Sequence, residues 1–421
     1  MTYFSKIKTN NFLKSVLTLS LGTGLAQLVG LISLPFLSRF YTPEAFAVLG
    51  VFISVGAIFA IFGNAGYELA IMLPKEKADR LALLGFSFGV AFLTALLSIF
   101  SYFFIDYFEI LSKESLKVFF LVPFGVFFES CSQALKVWLN KEKKYKSIAR
   151  ARLWQAISTA GISVAIGALK SWNWGLVVGL VFGIFVKFLF FLLGSNLSLK
   201  IILNIDFERT KSNLKNYRHF FKFGIWGTAL NTISRQLPFF ILPIYFGEYF
   251  TGQFAMSMKV IMLPIGLVAV AIGDVFYEKA NNAWQESELA LGKISKGTFF
   301  ILLPMAVLIL VIGIPLAPFA FTFVLGDQWL EAGKIAQFLL PWIAVMFITS
   351  PLSFLIDVRQ KLKFQFLYNI ALFAFRLFVL LFGSWYVSKM TTLQYFGIGN
   401  AILVACYLIY LLKLGHVRFF K

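Results

Sequence analysis

Four basic residues, Lys187, Arg235, Lys259 and Arg376, lie inside hydrophobic stretches long enough to cross a bilayer. A cation at bilayer depth costs about 2.5–3.5 kcal/mol on insertion scales, so each needs a counter-charge or a watery cavity. Cations held in that setting suit phosphate or pyrophosphate, Arg as a planar fork and Lys as a point charge. Arg235 lies thirteen residues beyond Lys222, roughly 20 Å into a helix. Thr228 and Asn231 share its face at helical spacing, which makes that face polar in an otherwise apolar span. Arg376 is equally central, with Asn369 on its face. Lys187 extends the Gly175/Gly179/Gly183 ladder by one more step of four and should face the bundle rather than lipid. Lys259 lies near the end of its span and can snorkel. The candidate substrate contacts are Arg235, Lys259, Arg376, Lys187, Asn231 and Gln27. Glu68, Glu129 and Asp274 are candidates for ion coupling, Glu129 sharing a face with Gln133 and Lys136. These acids and Glu278 also offer the alternative that the cations are structural ion pairs. No catalytic constellation, zinc spacing or cofactor motif is present. Cys131 and Cys406 read as small core residues, and His219 and His416 as interfacial side chains.

These residues need helices that span a membrane. The 421-residue chain is 59% hydrophobic and 14% charged, with 52 Phe. A soluble domain is nearer half apolar and a quarter charged, so the chain is read as a polytopic membrane protein. The net charge of +19 sits mostly in short loops, which excludes a nucleic-acid-binding domain and reports topology instead. Met1–Lys14 is a polar, basic lead-in without a cleavable-signal pattern. Segments of about 20 apolar residues place spans near 15–37, 46–67, 82–105, 118–138, 152–169 and 174–194. A second set falls near 221–246, 252–274, 297–318, 335–356, 364–387 and 393–412.

Lys and Arg crowd the N-terminus, the even-numbered loops (for example Lys75, Lys77 and Arg80, then Lys136 to Arg152) and the tail. The opposite side holds only Arg39, Lys113, Lys117, Lys170, Lys334 and Lys389. The positive-inside rule then places both termini in the cytoplasm.

The halves echo each other. Gly22-Thr23 recurs as Gly227-Thr228, Phe40-Tyr41-Thr42 as Tyr249-Phe250-Thr251, and Tyr67-Glu68-Leu69-Ala70 as Tyr277-Glu278-Lys279-Ala280. Their common order predicts two parallel six-helix bundles: 1–195, then a flexible cytoplasmic linker at 196–220, then 221–421. Such a pair suits alternating access. Prolines within spans (Pro35, Pro123, Pro238, Pro243, Pro264, Pro304, Pro341, Pro351) permit bends.

Several stretches carry a family resemblance. Ser38-Arg39-Phe40-Tyr41-Thr42-Pro43-Glu44-Ala45-Phe46 and Tyr67 to Pro74 resemble first-half signatures of the polysaccharide-biosynthesis (O-antigen, Wzx-type) flippases. Trp138-Leu139-Asn140-Lys141, Leu263-Pro264, Gly273 to Tyr277, Gly326-Asp327-Gln328-Trp329, Pro341-Trp342, Ser350 to Ser353 and Arg359-Gln360-Lys361 are similar to later ones. The resemblance implies the all-α fold of the multidrug/oligosaccharidyl-lipid/polysaccharide exporters, twelve transmembrane helices in two pseudo-symmetric bundles. It implies a flippase, not an enzyme, in the bacterial inner membrane. Its expected cargo is the undecaprenyl-pyrophosphate-linked repeat unit of lipopolysaccharide O-antigen or capsule, moved from the cytoplasmic to the periplasmic leaflet. Expected partners are that lipid-linked oligosaccharide, membrane lipids, and a polymerase or other glycan-assembly proteins, with no nucleic acid. Lys259 stands where the family often has Arg, which keeps the charge and loses the two-pronged contact. The alternative is an ion-coupled drug or small-molecule exporter of the same superfamily, which would favour an acidic cavity over this basic one.

Overall fold

A computed structural model describes residues 22–169, 172–203, 206–218, 221, 225–263 and 270–417. His219, Pro264 and the side chain of Asp274 lie outside the described residues. The protein is all-α, with twelve membrane-spanning helices in two bundles. Among the described residues nine helices are long and apolar enough to cross a membrane by themselves.

The first bundle contains α1 (Gly22–Phe40), α2 (Pro43–Phe62), α3 (Lys77–Leu97), α4 (Val122–Lys141), α5 (Tyr145–Leu169) and α6 (Gly175–Ser195). Its core gathers Leu83, Phe88, Leu135, Trp138, Phe188 and Phe191, all buried. The small-residue ladder on α6 explains the close α5–α6 pairing. A Cβ at Gly179 would collide with Ser163, and one at Gly183 with Thr159, so only glycine lets the two backbones approach. Tyr41, buried between α1 and α2, donates its hydroxyl to the Ser163 carbonyl of α5 at 2.7 Å.

The second bundle continues through α7 (Ile225–Ile261), α8 (Val270–Glu286), α9 (Glu288–Leu325), α10 (Leu330–Leu352), α11 (Leu362–Tyr386) and α12 (Lys389–Leu414). The turn expected between spans seven and eight is a break within α7 at Gly247, whose φ of 81° suits glycine. The chain clusters into two compact units, Met1–Ile233 and Ser234–Lys421. The second unit's core joins Leu302, Phe347, Leu352, Leu355 and Leu411.

Two expectations change. The 196–220 segment is not simply a flexible loop: it carries short helices at Leu199–Leu203 and Phe207–Asn216, the second packed against α3. Arg209 pairs with Glu76 at 2.9 Å, Asn213 donates to Asp79 at 3.3 Å, and the Tyr67 hydroxyl donates to the Leu214 carbonyl at 3.3 Å. Pro123 lies in the first turn of α4, where a missing N–H costs nothing, and so makes no kink. Pro238, Pro243, Pro304, Pro341 and Pro351 do lie inside their helices.

Candidate functional site: a charged cavity in the first unit

A cavity of about 550 Å³ opens within the first unit. Phe52, Gly56 and Ala60 of α2, Gly125 and Val126 of α4, and Leu180 and Ile184 of α6 give it an apolar wall. Its polar lining is Glu68, Glu129, Gln133, Gln155, Lys187, Thr228 and Thr232. Helix geometry sets each of these. On α4 the steps of four and three bring Glu129, Gln133 and Lys136 to one face. On α6 the glycine face packs against α5 as far as Gly183, which meets the Gln155 carbonyl. The next position on that face is Lys187, which emerges beside Gln155 into the cavity.

Lys187 reaches Glu129, its Nζ donating to Oε2 at 2.6 Å. The lysine side chain is 11% exposed and the glutamate 31%, so the cation is fixed in the wall and the carboxylate faces open space. Lys136 lies within electrostatic reach of three groups, repelled by Arg152 and Lys187 and attracted by Glu129. Arg152 also donates to the Thr23 hydroxyl on α1. Glu68 enters from the loop between α2 and α3. Burial pushes its carboxyl above the usual carboxylate range, partly offset by a backbone hydrogen bond. Its Oε2 is buried with no hydrogen-bond partner among the described residues, as is Oε1 of Gln27.

The remaining sequence candidates are distributed elsewhere. Arg376 of α11 is 4% exposed, and its partners among the described residues are neutral. Its Nε donates to Asn400 Oδ1 at 2.7 Å and a terminal nitrogen to Ser234 Oγ at 3.1 Å. Its guanidinium lies 5.3 Å from the Trp342 ring centre, a cation–π distance. Helices α7, α10, α11 and α12 therefore meet on this one side chain. Arg235 is exposed on α7 on the same face as exposed Thr228 and Asn231, close enough to Arg376 for mutual repulsion. An exposed arginine in mid-span is stable only against water or polar groups. Lys259 is also exposed, further along α7, and Glu278 is exposed on α8. The echoing dipeptides thus differ in setting: Tyr67 is buried and Glu68 lines the cavity, whereas exposed Tyr277 meets Phe354 with its ring tilted at 42°.

Sequence reasoning counted Arg152 as a loop cation and did not single out Gln155. Because α5 begins at Tyr145, Arg152 lies two turns inside it. The signal was the stripe Arg152, Gln155, Thr159 and Ser163, polar at helical spacing in an apolar span.

A family model described as "Polysaccharide biosynthesis protein" matches residues 36–334. Among solved structures the chain is similar to lipid II flippase MurJ in an inward closed conformation. That match has a TM-score of 0.76 and 17% identity, covering 94% of this chain and 87% of that one. It is also similar to an inward-facing multidrug resistance MATE family transporter of the MOP superfamily (TM-score 0.61, 14% identity, 95% and 94% covered). A third likeness is to a MOP superfamily transporter from Pyrococcus furiosus (TM-score 0.61, 14% identity, 96% and 97% covered). At these identities the likeness is one of fold. No curated protein matches the chain in sequence.

Proposed function

The chain belongs to the polysaccharide biosynthesis protein family, and on that premise we propose that it is a flippase for undecaprenyl-pyrophosphate-linked oligosaccharide repeat units of O-antigen or capsule type. The units move from the cytoplasmic to the periplasmic leaflet of a bacterial inner membrane by alternating access, with both termini cytoplasmic. Residues 1–195 and 221–421 act as the two bundles, joined through 196–220. The observation that supports this reading best is Lys187 in the cavity wall, held against Glu129 at 2.6 Å with Lys136 within electrostatic reach. The oxygens of a pyrophosphate accept from the Lys187 ammonium. Gln133, Gln155, Thr228 and Thr232 offer hydrogen bonds to sugar hydroxyls. Arg235 and Lys259, with Asn231 and Gln27, serve as further contacts along the path, while Arg376 holds the helices around Arg235. Glu68, Glu129 and Asp274 are the acids available for coupling to an ion gradient. The prenyl chain stays in lipid, so the protein acts as a transporter rather than an enzyme. A polymerase and other glycan-assembly proteins are its natural neighbours.

The test is reconstitution in liposomes carrying the labelled lipid-linked oligosaccharide in one leaflet. Movement to the other leaflet in the wild type, and its loss in Lys187→Gln and Arg235→Ala, is the expected result. Export of cationic small molecules without movement of the lipid would replace this reading with the drug-exporter one.

A further inference from the structure

We propose that Glu129 is an internal stand-in for the diphosphate of the cargo, occupying Lys187 when the cavity is empty and displaced from it when a diphosphate binds. The inference rests on the flippase reading for its ligand and names the residue that the diphosphate competes with.

Three observations carry it. The Lys187–Glu129 pair lies in the wall of the cavity itself, and of its two members the glutamate is the more exposed. A displaced carboxylate therefore has open space to enter beside Gln133 and Gln155, whereas the ammonium stays where it is. Next, Glu129 is the hydrogen-bond partner that Lys187 has among the described residues. An ammonium carries three donors, so its remaining donors can engage an incoming phosphate before the pair separates. Finally, Lys136 stands within electrostatic reach of the pair. A diphosphate, bearing more charge than one carboxylate, matches Lys187 and Lys136 together better than Glu129 does. Breaking a buried ion pair without replacement is strongly unfavourable. Here the ligand restores the contact it breaks, so Lys187 is paired in both states and the cavity can empty again once the ligand leaves. Tight binding alone would trap the cargo, and a resident competitor weakens it.

The experiment uses the full-length protein in nanodiscs and measures binding of two probes, inorganic pyrophosphate and undecaprenyl pyrophosphate. Removing the competitor in Glu129→Gln should tighten binding by about tenfold, the scale of one charge-assisted contact. Lys187→Gln and the double variant Glu129→Gln/Lys187→Gln should both lose that affinity, and Lys187→Arg should retain it. A gain for both probes locates recognition in the diphosphate itself. A gain for the lipid probe alone supports the proposal with the prenyl chain as a required part of the ligand. Should Glu129→Gln fold poorly, as read by its melting temperature, Glu129→Asp keeps the charge on a shorter arm and should shift binding the same way by less. Unchanged or weaker binding in the folded Glu129 variants would overturn the proposal. Lipid movement in liposomes separates the two readings. Wild-type movement with no gain in the Glu129 variants defeats this inference alone, whereas a gain with no lipid movement by any variant defeats the flippase reading.

Discussion

At the scale of single residues, the four cations that mark this sequence have different local environments. Lys187 has an acid within 2.6 Å and Arg376 has a shell of neutral acceptors and an aromatic face, while Arg235 and Lys259 are exposed. Arg376→Ala should lower stability by roughly 2–4 kcal/mol, because it removes two charged hydrogen bonds and strands the buried Asn400 oxygen. Thermal unfolding in detergent checks this, and Arg376→Lys should recover only part of the loss. Glu68 makes a second prediction, in pH. Burial raises its folded-state pKa, so its contribution to stability is complete below the ordinary carboxylate range and is lost as pH rises through the raised value. The melting temperature of Glu68→Gln should therefore fall less than that of the wild type across that window. Equal pH profiles for the two proteins would show that Glu68 titrates normally.

At the scale of elements, glycine spacing decides how close α5 and α6 come. Gly179→Leu should cost about 1–3 kcal/mol through overpacking against Ser163. Because the same face leads to Lys187, it should also weaken pyrophosphate binding, whereas leucine at the open Gly161 should do neither. Parallel unfolding and binding curves for the two variants provide the comparison. The helix Phe207–Asn216 shows a related point. Its docking on α3 uses largely exposed ion pairs of Arg209, and pairs of that kind contribute about 0–1 kcal/mol each. The buried Tyr67 hydroxyl on Leu214 and the ring packed on Phe86 are therefore the firmer part of that contact.

At the scale of the whole molecule, the charge asymmetry of the loops makes a topological prediction. A single cysteine at Lys143, in a background with Cys131 and Cys406 replaced by serine, should react with an impermeant thiol reagent only from the cytoplasmic side. One at Lys113 should react only from the periplasm. Labelling of intact cells against inverted vesicles distinguishes the two, and the reverse pattern would invert the proposed direction of transport.

The membrane class, the helix count and the presence of polar faces were legible in the sequence because they depend on local composition and on a fixed helical period. A stretch of apolar residues long enough to span lipid has few other fates, and glycines four residues apart predict close packing whatever they pack against. The pairing of Lys187 was not legible. Glu129 was one of several acids that could have met any of four cations, and their separation in the chain says nothing about separation in space. The addition of Gln155 to the cavity likewise depended on where α5 begins and which way it faces. So too did the difference between Glu68, half-buried in the cavity lining, and Glu278, exposed on α8. Local pattern determined that charges would lie within the membrane. Which charges meet was decided only by packing, because ion pairing depends on distances of a few ångströms between helices far apart in sequence.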